Sequence, residues 1–116
     1  MAAIFSKSQL QTLETAPCKT ADQPMSRGEA IAQLTELPDW RLGNDGKSIA
    51  RRYEAQNFLA ALTFFEKIGS VAEENHHHPD LHLVRYREVT VSLWTHSIGG
   101  LSRNDFIVAA KIDAIP

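Results

Sequence analysis

Across residues 57–94 the hydrophobic period of the chain switches from that of a helix to that of a strand, and no other feature narrows the possible folds so much. Asn57 is a suitable N-cap. Phe58, Ala61, Leu62, Phe65, Ile68, Gly69 and Ala72 follow at helical spacing. That stripe is wide enough to serve a core and a partner surface together. Pro79 disfavours α geometry just before it, so the helix is predicted to fray near Asn75–His78. Beyond Leu81–Val84, Val89, Val91 and Leu93 alternate with Thr90, Ser92 and Trp94, the two-residue period of a strand with one buried face. A one-sided sheet and a one-sided helix each need a covering layer.

The flanking segments continue the pattern. Ser26 with Glu29 forms a capping box, and Ala30, Ile31, Leu34 and Leu37 give an apolar stripe that Pro38 ends. Trp40–Leu42 and Ser48–Tyr53 read as a hairpin, because Gly43-Asn44-Asp45-Gly46 tolerates positive φ. Gly99-Gly100 breaks the long strand. Ser102 with Asp105 is a second capping box, opening a last helix with Phe106, Ile107, Ala109, Ala110 and Ile112. The order is α-β-β-α-β-β-α. Segregated helices and hairpin-like connections predict an α+β fold with an antiparallel sheet of about four strands. Its exposed edges offer a route to an oligomer. Residues 1–25, interrupted by Pro17 and Pro24, read as an N-terminal arm with one helical turn near Ser8–Leu13, and 26–116 as the domain.

Composition excludes several functions. At 116 residues and 43% hydrophobic content the chain is one domain able to bury a core. Its net charge of −2, with Arg51-Arg52 the only adjacent basic pair, leaves no footprint for direct nucleic-acid binding, although a protein partner stays open. Cys18 is the single cysteine, so an intrachain disulfide, a CxxC pair and a Cys/His zinc pattern are all ruled out. No apolar run reaches the roughly 18–20 residues of a membrane span, and no signal-peptide core is present. A cytoplasmic location is the resulting expectation.

The histidines are the chemical anomaly. All five lie between His76 and His96, and His76-His77-His78 are consecutive. Glu73, Pro79 and Asp105 complete the cluster, and Glu73 shares a helix face with His77 if the helix persists. Three chemistries fit. A metal site has the ligand type, and His76 and His78 make an HxH pair, but adjacent histidines ligate one ion only with a contorted backbone. Solvated histidines at a helix end would favour the helix dipole, the reading preferred for His76 and His82. General acid–base catalysis would divide roles between imidazoles, with a carboxylate fixing each tautomer and Ser92, Thr95 and Ser97 adding hydroxyls.

One ordered set of residues carries a resemblance. Glu73-x3-His77-His78-Pro79, then Tyr86, His96 and Asp105, is similar to pterin-4a-carbinolamine dehydratase, a family also called the dimerisation cofactor of a homeodomain transcription factor. Leu37-Pro38-x-Trp40, Arg52-Tyr53, Asn57-Phe58, Ala72-Glu73, His77-His78-Pro79-Asp80, Thr95-His96 and Gly100-Leu101-Ser102-x-x-Asp105 fall in family order, covering about residues 26–113. Leu81 departs from the pattern, standing where many members have Trp.

The resemblance implies three helices on one face of a four-stranded antiparallel sheet. It implies a homodimer joined through sheet edges, and in some members a homotetramer. It also implies dehydration of a 4a-hydroxytetrahydropterin to the quinonoid dihydropterin, in tetrahydrobiopterin recycling for aromatic amino-acid hydroxylases, with no metal or cofactor. On that reading His77 is the principal acid/base, His78 orients the pterin and His96 is the second acid/base. Glu73 and Asp105 then orient imidazoles, Pro79 shapes the loop, and Thr95, His96 and Ser97 bind the polar pterin edge. The alternatives are a non-enzymatic dimerisation module for a transcription factor and a pterin-handling role in molybdenum-cofactor metabolism.

Overall fold

A computed structural model describes residues 4–17 and 22–116; Cys18 lies outside the described residues. Its elements are α1 (Lys7–Thr12), α2 (Arg27–Leu34), β1 (Arg41–Leu42), β2 (Ile49–Glu54), α3 (Phe58–Glu74), β3 (Asp80–Val84), β4 (Glu88–Leu93), a 3₁₀ turn (His96–Ile98) and α4 (Arg103–Asp113). The sheet is antiparallel in the order β1-β2-β4-β3, an α+β arrangement. From α2 onward the element order is the expected one, and α1 supplies the helical turn read in the N-terminal segment.

Local chemistry places the ends. Ser26 and Glu29 exchange side-chain and backbone bonds at the start of α2, and the Asn57 side chain accepts from Ala60 N–H at the start of α3. In the hairpin between β1 and β2, Gly46 takes φ 73°, where a side chain would be strained.

Register sorts the side chains. Ile49 faces Leu93, Arg51 faces Val91 and Tyr53 faces Val89, while Leu81 and Leu83 flank β4 from the other side. Val89, Val91 and Leu93 are buried, with Thr90 and Ser92 between them less so, as the alternation predicts. Trp94 lies one residue beyond the strand. The core is closed by α3 through Ala61 and Ile68, and by α4 through its run from Phe106 to Ala110.

The described part of the N-terminal segment belongs to this core. Leu10 is 0% exposed, Phe5 and Leu13 pack beside it, and the Gln11 amide donates to Ala110 O at 3.1 Å. A buried polar knot joins the far end. The Trp40 indole, Arg51 and Tyr53 hydroxyl reach Asp113 Oδ1 at 2.9, 2.6 and 3.2 Å. Lys7 Nζ lies 3.0 Å from Oδ2, an ion pair without hydrogen-bond alignment.

Candidate active site

The chain leaves regular structure at the ends of α3 and β4, and His76, His77, His78 and His96 sit at these two exits. The end of α3 is a defined cap, where the sequence predicted fraying. His76 takes φ 50°, its N–H bonds Glu73 O at 3.3 Å, and His77 N–H bonds Ala72 O at 3.2 Å. This is the Schellman pattern with histidine in the left-handed place usually held by Gly. It satisfies terminal carbonyls and turns the chain sharply before His77.

His77 is mostly buried, its side chain 12% exposed. Its Nε2 lies 2.6 Å from Asp105 Oδ1. Asp105 is 0% exposed, a costly place for a carboxylate unless donors surround it. Its Oδ2 accepts from the Thr95 hydroxyl at 2.8 Å and from Ser102 N–H at 3.0 Å. Because a hydroxyl has one proton, the Ser102 hydroxyl in turn donates to Thr95 Oγ1, 2.8 Å away. The first turn of α4 adds its favourable dipole. With both Asp105 oxygens accepting, His77 carries a proton on Nε2, and the residue lines the cavity.

His78 Nε2 bonds Glu73 Oε2, and both side chains are exposed. The four-residue spacing of Glu73 and His77 does not pair them, because the α3 cap rotates His77 off the helix face. His96 is the first residue of the 3₁₀ turn, not the last of the strand, and its ring stacks on Trp94 with centroids 3.8 Å apart and planes 27° apart. Gly99 closes that turn at φ 64°, a conformation that favours glycine.

These exits border a cavity of about 530 Å³, within the range of small-molecule sites. His76, His77, His78, Thr95, His96 and Ser97 line it, together with Trp94, Asn104 and Thr15–Pro17. Pro79 lies outside the lining, and Glu73 and Asp105 back the imidazoles. Ser92 borders a separate depression with Ser48 and Asp80. His82 is not at a helix end: it stands exposed in β3, opposite Thr90. Among the described residues no group of three or more His, Cys, Asp or Glu is arranged to hold a metal ion.

The sequence reading missed Trp94, Asn104 and the N-terminal wall as pocket components. Trp94 carried a signal, a large aromatic ring on the polar side of the alternation. Asn104 and Ala16 carried none, since they meet across 88 positions.

Imidazoles lining one cavity could move protons to and from a bound molecule. The family profile for pterin 4 alpha carbinolamine dehydratase matches residues 23–115. The chain is 39% identical over 113 residues to pterin-4-alpha-carbinolamine dehydratase 2, mitochondrial, of Arabidopsis thaliana, covering 95% of this chain and 60% of that protein. It is 43% identical over 99 residues to a putative pterin-4-alpha-carbinolamine dehydratase of Halorhodospira halophila, covering 85% of this chain and 90% of that one. Among solved structures, a transcriptional coactivator/pterin dehydratase from Brucella melitensis superposes with a TM-score of 0.74 at 28% identity, over 79% of this chain and 97% of that one.

Proposed function

The chain belongs to the pterin-4-alpha-carbinolamine dehydratase family, and from that premise we propose that it is a hydro-lyase acting on a 4a-hydroxytetrahydropterin by histidine acid–base catalysis. The observation that carries this reading is the buried Asp105–His77 pair opening on a cavity shared with His78 and His96.

The reaction removes water across one bond. The C4a–O bond breaks as the hydroxyl takes a proton, N5 gives up its proton, and a C4a=N5 double bond forms. Water and the quinonoid dihydropterin leave. One proton is delivered and one removed, so the enzyme ends each cycle with its charge unchanged.

His77 suits the principal acid/base role, since Asp105 fixes the orientation of its ring at the cavity. His96 suits the second role, its ring held flat against Trp94. His78, tied to exposed Glu73, suits substrate orientation. Thr95, His96 and Ser97 border the cavity where the amide-like edge of the pterin would lie, and Pro79 restricts the loop that carries the histidine triplet.

Recycling of tetrahydrobiopterin after aromatic hydroxylation is the setting this chemistry serves. The assembly that accompanies the reading is a homodimer through β3, whose outer edge is unpaired within the described sheet. A cytoplasmic setting is part of the same reading. No helix of the described residues is long and apolar enough to cross a membrane. The Brucella structure's name favours a second reading, a coactivator module docking another protein, and such a module would not need the histidine pocket.

The test is the decay of a freshly generated 4a-hydroxytetrahydropterin, followed by ultraviolet absorbance. The reading predicts acceleration at catalytic protein concentration, saturating with substrate. A decay no faster than the spontaneous one would overturn it.

A further inference from the structure

We propose that Thr15–Pro17 is a substrate-retaining wall of the pocket and that Asn104 is the residue that positions it; this rests on the pocket being a pterin site. After α1 docks through Leu10, the chain runs to the cavity and lines it with Thr15, Ala16 and Pro17. Asn104 and Thr15 anchor it there. Asn104 bonds both backbone groups of one residue: Oδ1 accepts from Ala16 N–H at 3.0 Å, and Nδ2 donates to Ala16 O at 2.6 Å. The Thr15 hydroxyl donates to Asn75 O at 2.5 Å.

The anchors are placed where they matter. Asn75 caps α3, just ahead of the histidine triplet, and Asn104 immediately precedes Asp105. The wall is therefore tied to the same two points that fix His77. Asn104 is mostly buried at the start of α4, and its amide is turned to a segment 88 positions earlier. A buried amide matched to both groups of one peptide residue fixes that backbone in position and orientation.

Nothing in the wall supplies an acid or base from its side chains. Its contribution is to enclose the bound ring, which affects ground state and transition state alike. Loosening it should raise KM and leave kcat in place. A change in the catalytic histidines would instead lower kcat.

Asn104→Ala, Thr15→Val and Thr15→Ser are compared with wild type by steady-state dehydration of a 4a-hydroxytetrahydropterin, alongside thermal unfolding. Asn104→Ala and Thr15→Val are each expected to raise KM by about fivefold, with kcat within about twofold, as loss of a hydrogen-bonded anchor implies. Thr15→Ser keeps the hydroxyl and should restore the wild-type KM. If Asn104→Ala fails to fold, the Thr15 pair decides alone. An active wild type whose KM is the same in the folded variants, or whose kcat alone falls, overturns the wall and spares the pterin reading. An inactive wild type overturns both.

Discussion

At Asp105 a helix cap and an imidazole anchor share one carboxylate. Oδ2 closes the first turn of α4 through Ser102 N–H, as the capping box predicts, and Oδ1 holds His77. The predicted cap is present, and the same carboxylate also reaches His77. Glu73 stands in contrast, because its pair with His78 is exposed to solvent. A buried, fully accepted carboxylate controls its partner strongly, whereas an exposed ion pair is worth little. Asp105→Asn is expected to lower kcat by about 100-fold, because the amide can present Nδ2 and favour the wrong imidazole tautomer. Glu73→Gln should change kcat by less than about fivefold. Steady-state rates of the two folded variants check this, and equal losses would contradict it.

At the scale of elements, Asp113 ties the end of α4 to α1, β2 and the segment before β1. Within that knot burial pushes the Tyr53 phenol above its usual value of 10, and the Asp113 charge pushes it further. The folded chain thus holds the phenol proton more tightly than the unfolded chain does. Stability from this source is complete below pH 10 and falls as pH rises beyond it. Denaturant unfolding at about pH 8 and about pH 11 should show a larger alkaline loss for wild type than for Tyr53→Phe. Identical losses would contradict the account. The knot also marks the limit of sequence reading. Caps, turns and alternation at Ser26, Asn57, Gly46 and Val89–Leu93 are local and were legible. Arg51 on the buried face of β2 breaks the apolar pattern, and its meeting with Asp113, 62 positions on, explains it. Pro79 signals fraying at the end of α3, while the left-handed His76 that closes the cap leaves no mark in the sequence.

At the scale of the whole molecule, the two chain exits that carry the histidines are brought together by β4 lying between β2 and β3, with α3 and α4 in contact. The two periodicities make the α+β class and the histidine cluster legible in the sequence, whereas the strand order β1-β2-β4-β3 depends on long-range pairing. The pairing within the cluster was not legible, since it depends on how α3 ends and on a buried carboxylate in another helix. The N-terminal wall was less legible still, because its anchors are backbone contacts made by Thr15 and Asn104 across the fold. The central claim is that imidazoles on both exits exchange protons with the pterin. It is tested most directly by the catalysed decay rate of a 4a-hydroxytetrahydropterin with wild type, His77→Ala and His96→Ala, each shown to be folded. Losing one acid/base group should lower kcat by about 100-fold or more in each variant. Wild-type rates in both would contradict the account.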